Sequence, residues 1–266
     1  MMSYMVDVGG ITVRRAKGEL PSDMRTFVEE ARYGTILVTF GAAVSTLPTT
    51  LVQKFVSAFR RLDGYSIVWR LNNTYNIELP DNVMTSHWLP QNDLLAHPSV
   101  KLFITHCGNN GQFEAVYHGV PMIGFPVSFF NDHIHNARRL VHKGYGLSMD
   151  LLHFTADQLV DNIHKVLEDK SYKQRVMKAS EILRTQAQSP VERATFWIEH
   201  VCQFGGDHLR SAGDDLPLYS YFMLDVLGVL VGTLLLAVYL LLKFSTFAKR
   251  AFRSKQRVAT KPSKCD

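Results

Sequence analysis

Residues 88–136 decide the fold of this chain and read WLPQNDLLAHPSVKLFITHCGNNGQFEAVYHGVPMIGFPVSFFNDHIHN. Within them, residues 102–105 form a short apolar, β-branched run that is typical of a buried parallel strand. A Gly/Asn-rich turn follows at residues 106–111, and residues 112–118 then show a helical pattern. On that helix we expect one apolar face, made of Phe113, Val116 and Tyr117. The stretch therefore predicts a strand, a turn and a helix.

The predicted turn is a candidate anion site. Backbone N–H groups at a helix N-terminus, together with the positive end of the helix dipole, attract anions, and glycines let a diphosphate approach the backbone closely. His106 stands at the carboxyl end of the strand, where ligands of open α/β sheets collect, so it can donate to a phosphate oxygen. A strand, glycine and helix turn is also ordinary α/β packing, and residues 108–111 alone leave both interpretations open.

Polar and aromatic side chains follow the neighbouring strands as well. Glu114 lies one turn into the helix, where a carboxylate would repel phosphate but suits the vicinal hydroxyls of a ribose. Trp88 ends a strand-like run at residues 83–87 and can present a flat face to a base, although a buried core tryptophan is the alternative. A third apolar run at residues 121–126 leads to polar groups able to bind sugar hydroxyls, which include Asp132 and His133.

The order and spacing of these motifs resemble one known family. The chain contains W-x-P-Q, then T-H-x-G-x-N-G-x-x-E-A, then H-G-V-P-M-x-G-x-P, then an Asp-Gln-like pair and N-A. This pattern is similar to that of the UDP-glycosyltransferases, and within them to the membrane-bound animal UDP-glucuronosyltransferases. The resemblance runs from Val8 to the basic tail and covers the C-terminal half of a family member. It implies a doubly wound, Rossmann-like α/β domain, the C-terminal domain of a GT-B glycosyltransferase, followed by one transmembrane helix.

The resemblance also assigns roles to single residues. Trp88 is similar to the tryptophan that stacks on uracil, and Gln91 and Glu114 are similar to the residues that hold the ribose. The other contacts that it implies are those to the diphosphate, at His106, Gly108, Asn110 and Gly111, and those to the sugar, at Asp132 and His133. Two further candidates are Gly41 and Arg70. Arg70 closes a strand and can reach the diphosphate, with a solvated strand-end arginine as the alternative.

Three departures from the family pattern concern the same site. Ala42 follows Gly41 where the family usually carries Ser or Thr, which predicts the loss of one hydrogen bond of about 1 kcal/mol. Asn109 stands in place of a small residue and is expected to crowd the turn. His133 replaces the usual glutamine, and the loop at residues 126–136 is two residues longer than usual. The choice between glucuronate, glucose and galactose therefore stays open.

Composition excludes other classes of function. The chain has 266 residues, 46% of them apolar, and a formal charge of +5. Eight of its 29 Lys and Arg lie at or after Lys243, so 21 basic residues face 23 acidic ones before that point, and nucleic-acid binding is not expected. The three cysteines, Cys107, Cys202 and Cys265, are too scattered for a disulfide framework or a zinc site. Cys107 is expected to be a small buried spacer.

The sequence predicts five segments. We expect a linker and entry helix at residues 1–34, a UDP-sugar-binding Rossmann-like domain at 35–204, a linker at 205–218, a transmembrane helix at 219–243 and a basic cytoplasmic tail at 244–266. A strand at residues 35–40, a helix face at residues 51–62 and a strand at residues 65–70 follow one another, which favours a parallel sheet. Further helices are predicted at residues 136–142 and 155–167, the second with a Thr cap. In the family, the helix at residues 190–204 braces the N-terminal domain.

A run of 17 uncharged residues, 226–242, favours a single membrane span. As a helix it reaches about 25 Å, the short end for a bilayer, and a buried core helix is the alternative. The basic residues that follow place the tail on the cytoplasmic side by the positive-inside rule. The donor domain is then lumenal, and the resemblance implies the endoplasmic reticulum.

The resemblance implies transfer of a hexuronosyl or hexosyl group from a UDP-sugar to a small lipophilic acceptor, with the UDP-sugar as co-substrate and no cofactor or metal. The family takes its catalytic base, a histidine oriented by an aspartate, from an N-terminal domain that is not in this sequence. We therefore expect donor binding without efficient transfer by this chain alone.

Two alternatives remain open. One is a non-catalytic, membrane-anchored UDP-sugar-binding subunit or short isoform that pairs with an acceptor-domain chain or with full-length relatives in a homo- or hetero-oligomer. The other is an incomplete gene model, because residues 1–24 show no signal-peptide pattern before a domain expected to be lumenal.

Overall fold

The computed structural model describes residues 5–18, 20–41, 46–72, 76–127 and 131–259. Contacts divide the chain into two units, and the larger one, Asp7–Glu199, contains the sheet. The smaller unit contains the apolar C-terminal helix.

The larger unit is built on six parallel strands. They are β1 (Gly34–Thr39), β2 (Tyr65–Arg70), β3 (Val83–Ser86), β4 (Val100–Thr105), β5 (Met122–Gly124) and β6 (Gly146–Ser148). Their order is β3-β2-β1-β4-β5-β6, and every neighbouring pair is parallel. The order reverses between β1 and β4, which is the switch point where doubly wound sheets bind their ligands. The predicted fold class is confirmed.

Among the residues described, six helices pack on the two faces of the sheet: α1 (Ser22–Glu29), α2 (Thr49–Phe59), α3 (Gln91–Ala96), α4 (Asn109–His118), α5 (Asn131–Lys143) and α6 (Ala156–Glu168). Helix α7 (Lys170–Arg184) packs against α4 and α6, and none of the described residues of α8 (Pro190–Phe204) is buried. The predicted threonine cap begins α6: the Thr155 hydroxyl accepts from the Gln158 backbone N–H at 3.2 Å, and the Gln158 side chain accepts in return from the Thr155 N–H. Such a capping box satisfies two otherwise unpaired donors.

The two faces of the sheet bury separate cores. Every residue of β1 is buried, as expected for a strand that is covered on both sides. Beneath α2 and α6 the core is aromatic, with Phe55 at its centre. The rings whose centroids lie within 4.9–5.8 Å of Phe55 are those of Phe40, Phe59, Trp69, Phe125 and Phe154. The opposite core is aliphatic and packs under α1, α3, α4 and α5.

Helix α4 differs from its prediction in its start and in its buried residues. It begins at Asn109, so the last three residues of the predicted turn, 109–111, belong to its first turn. Phe113, Val116 and Tyr117, which were predicted to share one face, are half-buried, and the fully buried residues are Gly111, Gln112, Glu114 and Ala115. Small residues let the helix lie close to the sheet: a Cβ at residue 111 would be 3.4 Å from the Phe103 ring.

Helix α5 begins at Asn131, five residues before the predicted start at residue 136. Asp132 and His133 therefore lie in its first turn and not in a loop. An acidic side chain in the first turn complements the positive end of the helix dipole, and Asp132 occupies that place.

The smaller unit contains two short 3-10 turns, the helix α9 (Leu218–Tyr221) and the long helix α10 (Leu224–Ala259). In the described part of the chain, Leu224–Phe247 is the single segment that is long and apolar enough to cross a membrane. It has 24 residues, and its most apolar part has a mean hydropathy of 2.4 and no buried residue. The predicted span at residues 219–243 starts earlier because the apolar aromatic residues of α9 precede it, and Met223, at φ 54°, separates the two helices.

Replacing Phe55 tests the aromatic core. Phe55→Ala removes a side chain with 0% exposure and leaves a cavity among five rings, so we expect a loss of about 3–5 kcal/mol in the free energy of unfolding. Urea denaturation followed by circular dichroism measures it. Leu152→Ala, at a position 63% exposed, is the matched control and should change stability by less than about 0.5 kcal/mol. Equal losses in both variants would contradict the described core.

Candidate functional site

A cavity of about 820 Å³ lies at the carboxyl ends of the strands, where the sheet order reverses between β1 and β4. It brings together all of the residues that the sequence predicts for a ligand site. They are Gly41, Arg70, Trp88, Gln91, His106, Gly108, Asn110, Gly111, Glu114, Asp132 and His133. We call this cavity the switch-point pocket. The candidates come from separate loops and helices, so their meeting in one place is a result of the fold.

His106 follows β4 and is enclosed by two glycines. Gly41 has φ +77°, and a Cβ there would be 2.6 Å from the Nε2 and Cε1 atoms of His106. A Cβ at Gly108 would also overlap Nε2. On a third side, the His133 ring meets the His106 ring edge to face, with 4.8 Å between centroids. The imidazole therefore has its position because residues 41 and 108 carry no side chain.

The His106 imidazole is neutral at pH 7. Burial and then the charge of His133 lower the pKa of His106 to about 4, against smaller opposing effects of a hydrogen bond with the Thr39 backbone and of the Asp132 charge. Its Nδ1 atom is buried and meets no hydrogen-bond partner among the described residues. A neutral imidazole donates from one nitrogen and accepts a proton at the other. An anion beside the ring would raise its pKa, so the site can respond to a bound negative charge.

The N-terminus of α4 opens into the same pocket. Gly108 is its N-cap, and no side chain caps the first turn, so backbone N–H groups there stay available to a ligand. Asn109, which was expected to crowd this turn, has its amide oxygen bound by the Arg139 guanidinium at 2.8 Å. The first turn can therefore bind an anion next to His106.

Gln91 and Glu114 are joined by a hydrogen bond. The Gln91 Nε2 donates to Glu114 Oε2 at 2.7 Å. Burial raises the pKa of Glu114, and bonds from Gln91 and the Thr12 hydroxyl partly offset that rise. A carboxylate has about four acceptor sites, so Glu114 can still accept from two vicinal hydroxyls. The pair has the chemistry of a ribose site.

Trp88 lies at the outer end of the pocket and is 69% exposed, so its interpretation as a core residue is wrong. The Arg70 guanidinium carbon is 5.4 Å from its ring centroid, within range of a cation–π contact. Arg70 also donates from Nε to the His87 carbonyl at 3.1 Å. The arginine is thus held against the indole, and Trp88 presents a flat apolar surface suited to a base.

The segment at residues 7–18 contributes two pocket residues that the sequence analysis missed, Thr12 and Arg14. Arg14 donates to Asp93 at 2.9 Å and 2.5 Å, and the Lys17 N–H donates to the same carboxylate at 2.7 Å. The hydrogen bond from Arg14 is the largest cause that lowers the pKa of Asp93. No periodic pattern marks this segment, in which the Arg14-Arg15 pair follows Gly9-Gly10 after three residues.

The remaining expectations concern Ala42, the loop at residues 126–136, Cys107 and metal binding. Ala42 and residues 128–130 of the longer loop lie outside the described residues. Cys107 is fully buried at φ 69°, and burial raises its thiol pKa to about 12, which fits the predicted spacer. Across the residues that the structure describes, no group of three or more His, Cys, Asp or Glu is placed to hold a metal ion.

Comparison with known sequences gives relatives along almost the whole chain. The family described as "UDP-glucoronosyl and UDP-glucosyl transferase" matches residues 1–258. Mouse UDP-glucuronosyltransferase 1A6 is 34% identical over 261 residues, 97% of this chain and 48% of that protein. UDP-glucosyltransferase 2 of Dactylopius coccus is 37% identical over 231 residues, 86% of this chain and 44% of the relative. The chain thus spans about half the length of the curated relatives it matches.

Solved glycosyltransferases have the same architecture. The glycosyltransferase of kitacinnamycin matches with a TM-score of 0.57 and 26% identity, over 70% of this chain and 46% of that one. Os79 from O. sativa, solved in complex with UDP, matches with a TM-score of 0.58 and 19% identity over 68% of this chain and 44% of its own, which shows a shared fold. From the match of residues 1–258 and these relatives, the chain belongs to the UDP-glucoronosyl and UDP-glucosyl transferase family.

Proposed function

We propose that the switch-point pocket binds a UDP-sugar and that the chain supplies the donor-binding half of a UDP-glycosyltransferase. The single observation that carries the proposal is the His106 ring, set between two glycines beside the uncapped start of α4. The neutral imidazole and the free backbone N–H groups can donate hydrogen bonds to the oxygens of a diphosphate. This mode of binding does not need a metal ion. Family membership and the UDP-bound Os79 structure support the same ligand class.

The ligand would lie along the pocket in one order. Uracil stacks on Trp88 at the outer end, and the ribose hydroxyls bond to Glu114, which Gln91 holds in place. The diphosphate meets His106 and the first turn of α4, where Gly108, Asn110 and Gly111 lie. Negative charge grows on the diphosphate as the glycosidic bond breaks, so these donors stabilise the transition state more than the bound substrate.

The transferred group would meet the start of α5. Asp132 is exposed there and lines the pocket with His133, whose ring contacts His106. The relatives include glucuronosyltransferases and a glucosyltransferase. We infer a hexuronosyl or hexosyl group, glucuronate first, and a small lipophilic acceptor. The catalytic base would come from an acceptor-binding domain, and pairing with full-length relatives stays a prediction.

We also infer that α10 anchors the chain as a single-pass membrane protein. The apolar segment Leu224–Phe247 is long enough to span a bilayer, and its side chains are exposed. Basic residues from Lys243 onward favour a cytoplasmic tail, with the switch-point pocket in the lumen of the endoplasmic reticulum. Protease protection of the pocket domain in sealed microsomes tests this orientation, and digestion without detergent would contradict it.

Removing His106 tests the diphosphate role. His106→Ala should weaken UDP binding about tenfold, since one hydrogen bond to a charged group is lost. Gly108→Ala should act in the same direction, because the new Cβ overlaps Nε2 of the histidine. Isothermal titration of the purified chain with UDP measures both.

Gly206→Ala is the matched control, because no atom lies within 4 Å of the added methyl. It should bind UDP like the unmodified chain. Unchanged affinity in His106→Ala would remove this residue from the diphosphate site, and unchanged affinity in Gly108→Ala would contradict the enclosed position of the ring.

Binding should take up protons. The pKa of His106 is about 4 in the free protein, and a bound diphosphate raises it, so the complex holds more protons than the free chain just above pH 4. Affinity for UDP-glucose should therefore rise as pH falls toward that value. Titration at pH 5 in two buffers of different ionisation enthalpy counts the protons. The uptake should disappear in His106→Ala, and persistence there would assign it to another group.

The ribose contact predicts discrimination against deoxyribose. Glu114→Gln should reduce the preference for UDP over 2′-deoxy-UDP by roughly tenfold, because a neutral amide accepts more weakly than a carboxylate. Competition binding with both nucleotides measures the ratio. Glu168→Gln, at an exposed position at the end of α6, is the control. An unchanged ratio in Glu114→Gln would place the ribose elsewhere.

A further inference from the structure

A second cavity, of about 550 Å³, lies outside the switch-point pocket among α4, α5 and α7. We call it the outer groove. Its apolar lining comes from all three helices and consists of Phe113, Val116, Leu140, Ala179, Ile182 and Leu183. Ile182 is 63% exposed. The volume and the apolar lining of the outer groove are typical of sites that bind small molecules.

The charged residues of the outer groove are all cations. Arg139, Lys143, Arg175 and Lys178 line it, and its lining contains no Asp or Glu. Among the described residues, none of the four forms an ion pair. Cations around an apolar floor attract a ligand that is both negatively charged and apolar. The groove therefore selects by charge as well as by hydrophobicity.

The cations are not spread evenly along the groove. Arg139 stands at the end near the start of α4, where it donates to the amide oxygens of Asn109 and Gln112 and lies 5.9 Å from the Phe113 ring centroid. At the other end, the Arg175 side chain covers Gly144, the residue after Lys143: a Cβ there would be 2.8 Å from Arg175 Cδ. Lys178 follows one helical turn along α7. One end thus carries the three cations Lys143, Arg175 and Lys178, and the other carries the single cation Arg139 beside an aromatic ring.

The groove is also elongated. Its α7 wall runs from Arg175 to Leu183, eight residues on and about 12 Å at the rise of an α-helix, and Gln186 extends the lining beyond the end of the helix. A ligand with one charged end and a linear apolar body matches this shape.

We propose that the outer groove binds a free single-chain fatty carboxylate. The carboxylate lies between Lys143, Arg175 and Lys178, and the alkyl chain follows Val116 and Leu183 toward Phe113. Burying each methylene contributes about 0.8 kcal/mol, so chain length and charge both add to affinity. The proposal does not depend on a UDP-sugar in the switch-point pocket.

Photo-crosslinking of the full chain in nanodiscs of neutral phospholipid tests the proposal. The probe is dodecanoic acid with a diazirine near the end of its chain, and labelled peptides are identified by mass spectrometry. We expect the label on peptides of α4 and α7 that contain Phe113 or Leu183. The double variant Lys143→Gln, Lys178→Gln should reduce labelling about tenfold, since two charge contacts are lost.

A matched pair of charge changes elsewhere, Lys54→Gln with Lys165→Gln, should leave the labelling unchanged. Leu183→Gln gives a second measure, on the apolar wall, and should shift or remove the label while UDP binding is retained. Three outcomes would overturn the proposal. They are equal labelling by the uncharged dodecanol analogue, a label confined to α10, and full displacement by an anionic phospholipid at the same mole fraction, which would assign the groove to a lipid headgroup.

Discussion

The His106 imidazole occupies a space that exists only because two residues on either side of it are glycine. A methyl group at residue 41 or 108 would overlap the ring, so the loop after β1 and the start of α4 can both approach it. This close packing brings the uncapped N–H groups of α4 and a neutral imidazole to the same place. The hydrogen-bonding groups of the switch-point pocket therefore depend on glycine at residues 41 and 108.

Buried strands support both sides of the ring. β1 and β4 are neighbours at the centre of the sheet, and the described residues of both are buried apart from Lys101. An aromatic core on one face and an aliphatic core on the other fix their positions. Ligand-binding groups on loops gain precision when packed strands hold both ends of those loops. The pocket can therefore be open to solvent while its polar groups stay in place.

The sequence was sufficient to predict those helices and strands whose residue patterns are local. The strand at residues 65–70 and the helix at 190–204 occur at those bounds, because β-branched runs and helical periodicity mark them without help from distant contacts. The burial of Glu114 on α4 was not predicted, since its carboxylate is hydrogen-bonded to Gln91, a partner 23 residues away. Thr12 and Arg14 were missed because Asp93, far along the chain, holds their segment at the pocket.

The contrast between Trp69 and Trp88 gives the protein a built-in optical reporter. Trp69 is fully enclosed among phenylalanine rings, whereas most of the Trp88 indole meets solvent at the edge of the pocket. Indole emission depends on the polarity around the ring, so the two residues should emit at different wavelengths. A planar molecule that covers Trp88 would quench its part of the red-edge emission, to which the half-buried Trp197 also contributes, and leave the blue component from Trp69 unchanged. Occupancy of the pocket could then be followed in the native chain without an attached dye.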